Sequence, residues 1–101
     1  MTIADVNIIP LGTRTPSVSE YAARACRVLQ EDKNIRHELT SMGAIIEGDL
    51  KDALRVIQTM HETTFDKDIL RVATTVKIDD RRDRTLSMKD KIKSVLKKLE
   101  C

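Results

Sequence analysis

The chain has 101 residues, with 18 Lys and Arg against 16 Asp and Glu. This length fits one domain that covers residues 1–101. The formal net charge of +2 is too small for bulk attraction to a polyanion, and one Tyr and one Phe are too few to stack single-stranded bases. No apolar run approaches the ~20 residues of a membrane span, and no signal peptide is visible. We therefore expect a cytoplasmic protein without nucleic-acid or membrane partners.

The first half of the chain predicts a strand, a helix and two further strands. Apolar and polar residues alternate over residues 2–11, which predicts the first strand. After a short loop, Ser17 and Glu20 have the spacing of a capping box, and an apolar stripe at helical spacing follows them. Alternation over residues 35–40 predicts a second strand, and residues 44–47 predict a short third strand after a tight connection.

The second half predicts a helix, a long strand and a last helix. Asp49 is placed to cap a helix whose apolar stripe extends to Met60. Residues 70–80 alternate over the longest stretch and predict the fourth strand. A charged loop follows, and Ser87 with Asp90 resembles a cap for a helix that continues to the C-terminus.

The resulting order, βαββαβα, predicts an α+β fold. Its first six elements are the ferredoxin-like βαββαβ sandwich with a four-stranded antiparallel sheet, and the last helix is an addition. Two amphipathic helices would cover one face of that sheet. The other face would carry a polar and mixed set: Asp5, Asn7, Ile9, Arg36, Glu38, Thr40, Arg71, Thr75 and Lys77. Such a face must contact water, a ligand or another subunit.

A run of alternating charges at residues 77–84 leaves the fourth strand. It can hold a polar ligand or cross-link subunits through Arg–carboxylate forks, and the alternative is a solvated loop. Three of its carboxylates, Asp79, Asp80 and Asp83, have the chemistry of Mg²⁺ ligands, but neighbouring arginines compete for the same oxygens. We therefore predict no metal and no cofactor.

Glu47 lies between a strand and a helix and is the first candidate anchor for a cationic or amino-bearing ligand. The alternative is an ordinary strand end. Ile45 shares its face, which predicts a partly buried carboxylate. No Ser/His/Asp or Cys/His arrangement with a recognisable signature is present, so we name no catalytic residue. An enzyme that uses Glu47 or Asp79 as acid or base stays as an alternative.

Several segments, taken in order, carry a resemblance that covers nearly the whole chain. They are residues 9–13, 17–19, 42–48, 61–62, 71–72 and 77–83, together with Lys91. With them the chain resembles the small thiamine-binding protein family of the YkoF-like superfamily, many members of which are labelled uncharacterised. The resemblance implies a ferredoxin-like fold and homodimers that pair into homotetramers through their sheets.

The resemblance also implies binding of thiamine or its hydroxymethylpyrimidine part without catalysis, in vitamin sensing, storage or salvage. By motif, Glu47 would be the acidic anchor. Candidate polar contacts to the ligand are Asn7, Ser17, Ser19 and Thr40. Residues that would line the site or join subunits are Lys77, Asp79, Arg81 and Asp83. The alternative function is a structural or regulatory oligomer of unknown ligand.

Overall fold

The computed structural model describes residues 1–13, 19–83 and 87–99, and it contains the expected elements in the expected order. These elements are β1 (Thr2–Leu11), α1 (Ser19–Glu31), β2 (Arg36–Thr40), β3 (Gly43–Gly48), α2 (Leu50–Thr63), β4 (Arg71–Asp80) and α3 (Met88–Leu99). The strands form one antiparallel sheet in the order β2-β3-β1-β4. The predicted α+β fold with a four-stranded antiparallel sheet is confirmed.

The core lies on one face of the sheet, which we call the helix face and define by Ala4, Val6 and Ile46. All three side chains are buried, and α1 and α2 pack over them through residues such as Leu29 and Met60. Because side chains alternate along a strand, the intervening residues of every strand point to the opposite side. We call that side the open face.

The helix caps agree with the sequence at one helix and differ at another. At α3 the backbone N–H of Ser87 donates to Asp90, and the N–H of Asp90 donates back to the Ser87 hydroxyl, so the predicted cap is confirmed. Asp49 does precede α2, but its side chain makes no capping hydrogen bond, and only its carbonyl accepts the Ala53 N–H. The Ser17–Glu20 box cannot be compared because Ser17 lies outside the described residues.

Helix α3 differs from α1 and α2 because it does not bury its apolar stripe. Ile92, Val95 and Leu96 are more than half exposed, and Leu99 is 74% exposed. Every described residue of α3 after Met88 is exposed. Within the described residues, no helix is long and apolar enough to cross a membrane. The open face of the sheet and the apolar stripe of α3 are therefore two surfaces that do not pack into the core.

The connection from α2 to β4 is fixed by one carboxylate, Asp66. Its Oδ1 accepts the backbone N–H groups of Asp68 (2.8 Å) and Ile69 (2.9 Å). Its Oδ2 accepts Arg24 Nη1 of α1 at 3.0 Å. The pKa of Asp66 lies below its ordinary value, chiefly because the Asp68 N–H stabilises the ionised carboxylate, and Ile69 and Arg24 act in the same direction. The ionised form of Asp66 thus ties the connection to α1.

We predict that Asp66→Asn lowers the free energy of unfolding at pH 7, because the amide keeps an acceptor but loses the charge. A group with a depressed folded-state pKa stabilises the protein above its unfolded pKa and loses this effect as the pH falls. The difference between the two proteins should therefore shrink from about pH 4 downward. Urea unfolding from pH 7 to pH 3 measures it, with exposed Asp68→Asn as control. If the free energies of unfolding of the two proteins differed by the same amount at every pH, the stabilising role of the ionised Asp66 carboxylate would be contradicted.

Candidate functional site

The strand register places four side chains in one row across the open face. Arg36 of β2 is opposite Glu47 of β3, which is opposite Ile3 of β1, which is opposite Asp79 of β4. The next row along the strands holds Glu38, Ile45, Asp5 and Lys77. The sheet therefore assembles charged groups of both signs that are far apart in sequence.

Glu47 is the unusual member of the first row because it is a carboxylate that is only 3% exposed. Its Oε2 accepts the backbone N–H of Met88 at 3.2 Å. Its Oε1 is also buried, but it has no hydrogen-bond partner among the residues that the structure describes. A buried oxygen without a donor costs free energy, so such an atom in a folded protein calls for an explanation.

The first turn of α3 lies over Glu47 and accounts for the burial of this side chain. Met88 begins the helix, and its N–H belongs to the positive end of the helix dipole, which favours a carboxylate. Three residues later, Lys91 forms an ion pair with Asp79 at the other end of the row. The start of α3 is thus fastened to β3 and to β4, although its apolar stripe stays exposed.

A cavity of about 460 Å³ opens beside Glu47, between β2 and the start of α3. This volume is within the range of small-molecule sites. Besides Glu47, its lining includes Arg36, His37, Glu38 and Lys89, with Met88 and Ile92 as the apolar part. A second cavity, of about 350 Å³, lies on the same face and is lined by Asp5, Lys77 and Asp79 among others. The open face can therefore receive a polar molecule of moderate size.

Asn7 and Thr40, two of the predicted polar contacts, hold the turn between β2 and β3. The Asn7 side-chain amide donates to the Met42 carbonyl at 2.6 Å. The Thr40 hydroxyl donates to the Gly43 carbonyl at 3.1 Å and accepts the Met42 N–H. Asn7 is four residues along β1 from Ile3, the neighbour of Glu47, which is about 13 Å. The structure does not bring these two side chains to the Glu47 carboxylate.

Of the two predicted serines, Ser19 is not at the Glu47 cavity either. Ser19 begins α1, which packs on the helix face, so it lies on the other side of the sheet from Glu47. Ser17 lies outside the described residues. An apolar groove lies on the α1 side, lined by Ala22, Cys26 and Leu39 among others, but its volume is only about 70 Å³. The described part of its lining has no charged group.

The charged run at the end of β4 forms ion pairs within the chain. Arg81 Nε and Nη2 donate to the two oxygens of Asp83 at 2.6 and 2.9 Å, in a bidentate fork. Arg82 Nε and Nη2 both donate to Oδ2 of Asp80, at 3.0 and 2.8 Å, and this guanidinium holds the pKa of Asp80 below its ordinary value. Lys77 lies opposite Asp5 on β1. Across residues 1–13, 19–83 and 87–99, no cluster of His, Cys, Asp and Glu could hold a metal ion.

Sequence reasoning selected Glu47 but missed what surrounds it. The Met88 N–H that covers the carboxylate, and Lys89 and His37 in the cavity wall, were not among the candidates. The cap at Ser87 and Asp90 did mark the start of α3. What was missing was the direction in which that helix leaves the sheet, which depends on tertiary contacts.

The fold and the site define a class: a small ferredoxin-like protein with a cavity for a polar molecule on the open face of its sheet. Residues 4–96 match the family model described as thiamine-binding protein, and the chain belongs to this family. The UPF0045 protein YqgV of Bacillus subtilis is 50% identical over 103 residues, covering 99% of each chain. A UPF0045 protein of Methanothermobacter thermautotrophicus is 39% identical over 100 residues, covering 98% of this chain and 100% of the relative.

Solved structures share the fold. The hypothetical protein MJ1052 of Methanocaldococcus jannaschii matches with a TM-score of 0.84 and 35% identity, over 93% of this chain and 94% of that one. A Thermotoga maritima protein, named for thiamine biosynthesis or salvage, matches with a TM-score of 0.75 over 93% of this chain and 97% of its own. Its 12% identity supports likeness of fold alone.

We predict that Glu47→Gln leaves the ligand-free protein at least as stable as the unchanged one. The amide oxygen can still accept the Met88 N–H, and the substitution removes a buried charge that only one donor among the described residues stabilises. Removal of that charge should offset the lost charge-assisted hydrogen bond and raise the free energy of unfolding by up to about 1 kcal/mol. Urea unfolding at pH 7 measures the difference. A loss of more than about 2 kcal/mol would instead indicate a structural role for the carboxylate.

Proposed function

We propose that this protein binds thiamine, or its hydroxymethylpyrimidine part, without catalysing a reaction, and serves vitamin sensing, storage or salvage in the cytoplasm. The observation that carries the proposal is the buried Oε1 of Glu47, which has no donor among the described residues. Membership of a thiamine-binding family supports a small-molecule partner.

The chemistry of the ligand suits this atom. Thiamine has a cationic thiazolium and an aminopyrimidine, and a carboxylate oxygen attracts the first and accepts an N–H from the second. Glu47 is held at the inner wall of the cavity by the Met88 N–H, so its position is fixed before a ligand arrives. An acceptor that is already fixed loses little conformational entropy when a ligand binds.

The contacts of Asp79 and Glu47, the two carboxylates considered for acid–base catalysis, favour a binding role over a catalytic one. Asp79 is paired with Lys91. Glu47 accepts a hydrogen bond from the backbone N–H of Met88. A backbone amide does not pass its proton on to a substrate, whereas an acidic side chain can. Among the described residues, no side chain forms a hydrogen bond with Glu47, and the side chain that pairs with Asp79 is the ammonium of Lys91.

The proposal includes a homo-oligomer, with dimers pairing into tetramers. Such an assembly needs two different interfaces, and two apolar surfaces are available. One is the stripe of α3 with the neighbouring open face, and the other is the uncovered part of the β4 helix face at Val76 and Ile78. The five lysines of α3 and the acids of the open face, such as Asp5 and Glu38, have complementary charge. A second copy of the chain fits this surface, with the ligand where the subunits meet.

The binding proposal predicts that thiamine or hydroxymethylpyrimidine gives saturable heat on titration into the protein, and that Glu47→Gln weakens binding at least about tenfold. Isothermal titration measures both. The matched control is Glu38→Gln, because Glu38 is an exposed carboxylate of the same cavity. Unchanged affinity in Glu47→Gln would move the site elsewhere, and loss of affinity on Ala22→Leu would then place it in the groove beside α1.

The assembly proposal predicts that Leu96→Lys lowers the particle mass in solution, because a charge enters the apolar stripe of α3 and cannot be buried there. Light scattering measures the mass, with Leu70→Lys as control, since Leu70 is exposed and far from α3 in sequence. Arg81→Ala should leave the mass unchanged because Arg81 is paired within its own chain. Dissociation by Arg81→Ala would favour the alternative, a structural or regulatory oligomer that is held by the charged loop.

A further inference from the structure

We propose that the Glu47 cavity selects its ligand in phosphorylated form, as a molecule with an amino or cationic group at one end and a phosphoryl group at the other. This inference rests on the proposed function and names the ligand class more closely. It concerns the rim of the cavity, where Arg36 and Lys89 lie, whereas the proposed function depends on Glu47 at the inner wall.

The cations at the rim have no acidic partner among the residues that the structure describes. Arg36 is directly opposite Glu47 on the neighbouring strand, yet it forms no ion pair with Glu47 or with any other described residue, and its side chain is exposed. Lys89, the second residue of α3, is likewise exposed and unpaired within the described chain. This differs from Arg24, Arg55, Arg81, Arg82 and Lys91, all of which pair with carboxylates.

The cavity is therefore divided by charge. Glu47 lines its inner wall, and one oxygen of that carboxylate is buried without a donor among the described residues. Its rim presents a guanidinium and an ammonium, next to the N-terminal turn of α3, whose dipole also favours an anion. Besides Glu47, the described lining includes the acidic residue Glu38, which is two residues along β2 from Arg36, about 7 Å away.

A ligand that satisfies both regions must itself carry both kinds of group. An arginine fork and a lysine are the side chains that proteins use for phosphate, through charge-assisted hydrogen bonds. A neutral alcohol, such as the free hydroxyethyl end of thiamine, would leave Arg36 and Lys89 unused. A phosphate ester of the same molecule would use them without disturbing the contact at Glu47.

The test compares thiamine, thiamine monophosphate and inorganic phosphate by isothermal titration into the full chain. We expect the phosphate ester to bind about tenfold more tightly than thiamine, and this preference to shrink as salt screens the rim charges. In the double variant Arg36→Ala/Lys89→Ala, the preference should be lost, so that the ester binds no better than thiamine does to the same variant. The control is Arg71→Ala/Lys97→Ala, which removes the same charges away from the cavity and should keep the preference.

Each other result overturns the inference in a recognisable way. Equal affinities for thiamine and its ester, in a protein that binds both, would refute the phosphoryl preference and leave the proposed function standing. Inorganic phosphate that binds as tightly as the ester would show a simple anion site. Absence of binding by thiamine and by its ester would refute the proposed function and this inference together.

Discussion

The burial of Glu47 under the first turn of α3 is the interaction on which the rest of the site depends. A carboxylate at the end of a strand would ordinarily face water. Here the Met88 N–H and the first turn of α3 cover it and satisfy one oxygen only. The same turn is held to β4 by Lys91 and Asp79. The cavity, its inner acceptor and the direction of α3 are therefore consequences of one packing arrangement.

The sheet explains why this arrangement can exist without weakening the fold. The buried apolar cluster of the described residues lies on the helix face, where residues such as Ala4 and Ile46 are fully buried. The open face contributes nothing comparable, so its side chains are free to serve recognition. A buried acceptor without a donor is a local cost, and proteins commonly accept such costs at functional sites. The exposed apolar stripe of α3 follows the same division, because the first turn of this helix contacts the open face and not the core.

The sequence predicted the fold well because the fold is determined by periodicity. Strand alternation over residues 2–11 and 70–80 assigned the side chains of β1 and β4 to the two faces of the sheet, and the register confirms which of them share the open face. The cap at Ser87 and Asp90 predicted the start of α3. Asp49 was wrong as a side-chain cap, since position before a helix does not fix the rotamer of the side chain. Glu47 was predicted to be partly buried because Ile45 shares its face, and it proved almost fully buried.

The surroundings of Glu47 could not be predicted in the same way. Met88, Lys89 and Arg36 come from three separate segments, and only the antiparallel register and the path of α3 bring them together. No local pattern encodes that path. The same limit applies to Asn7 and Thr40. Their polar side chains could bind a ligand, but in the structure they form hydrogen bonds that hold the turn between β2 and β3. Residue chemistry identifies candidates, and tertiary geometry decides which of them meet.

The most direct test of the central claim is to follow the backbone amide signals of the isotopically labelled protein by NMR while thiamine is added. If the ligand binds at Glu47, the amide of Met88, which donates to that carboxylate, should shift together with those of Arg36 and Lys89. Shifts that are confined to Ala22, Cys26 and Leu39, with Met88 unmoved, would contradict the account and place the ligand in the groove beside α1.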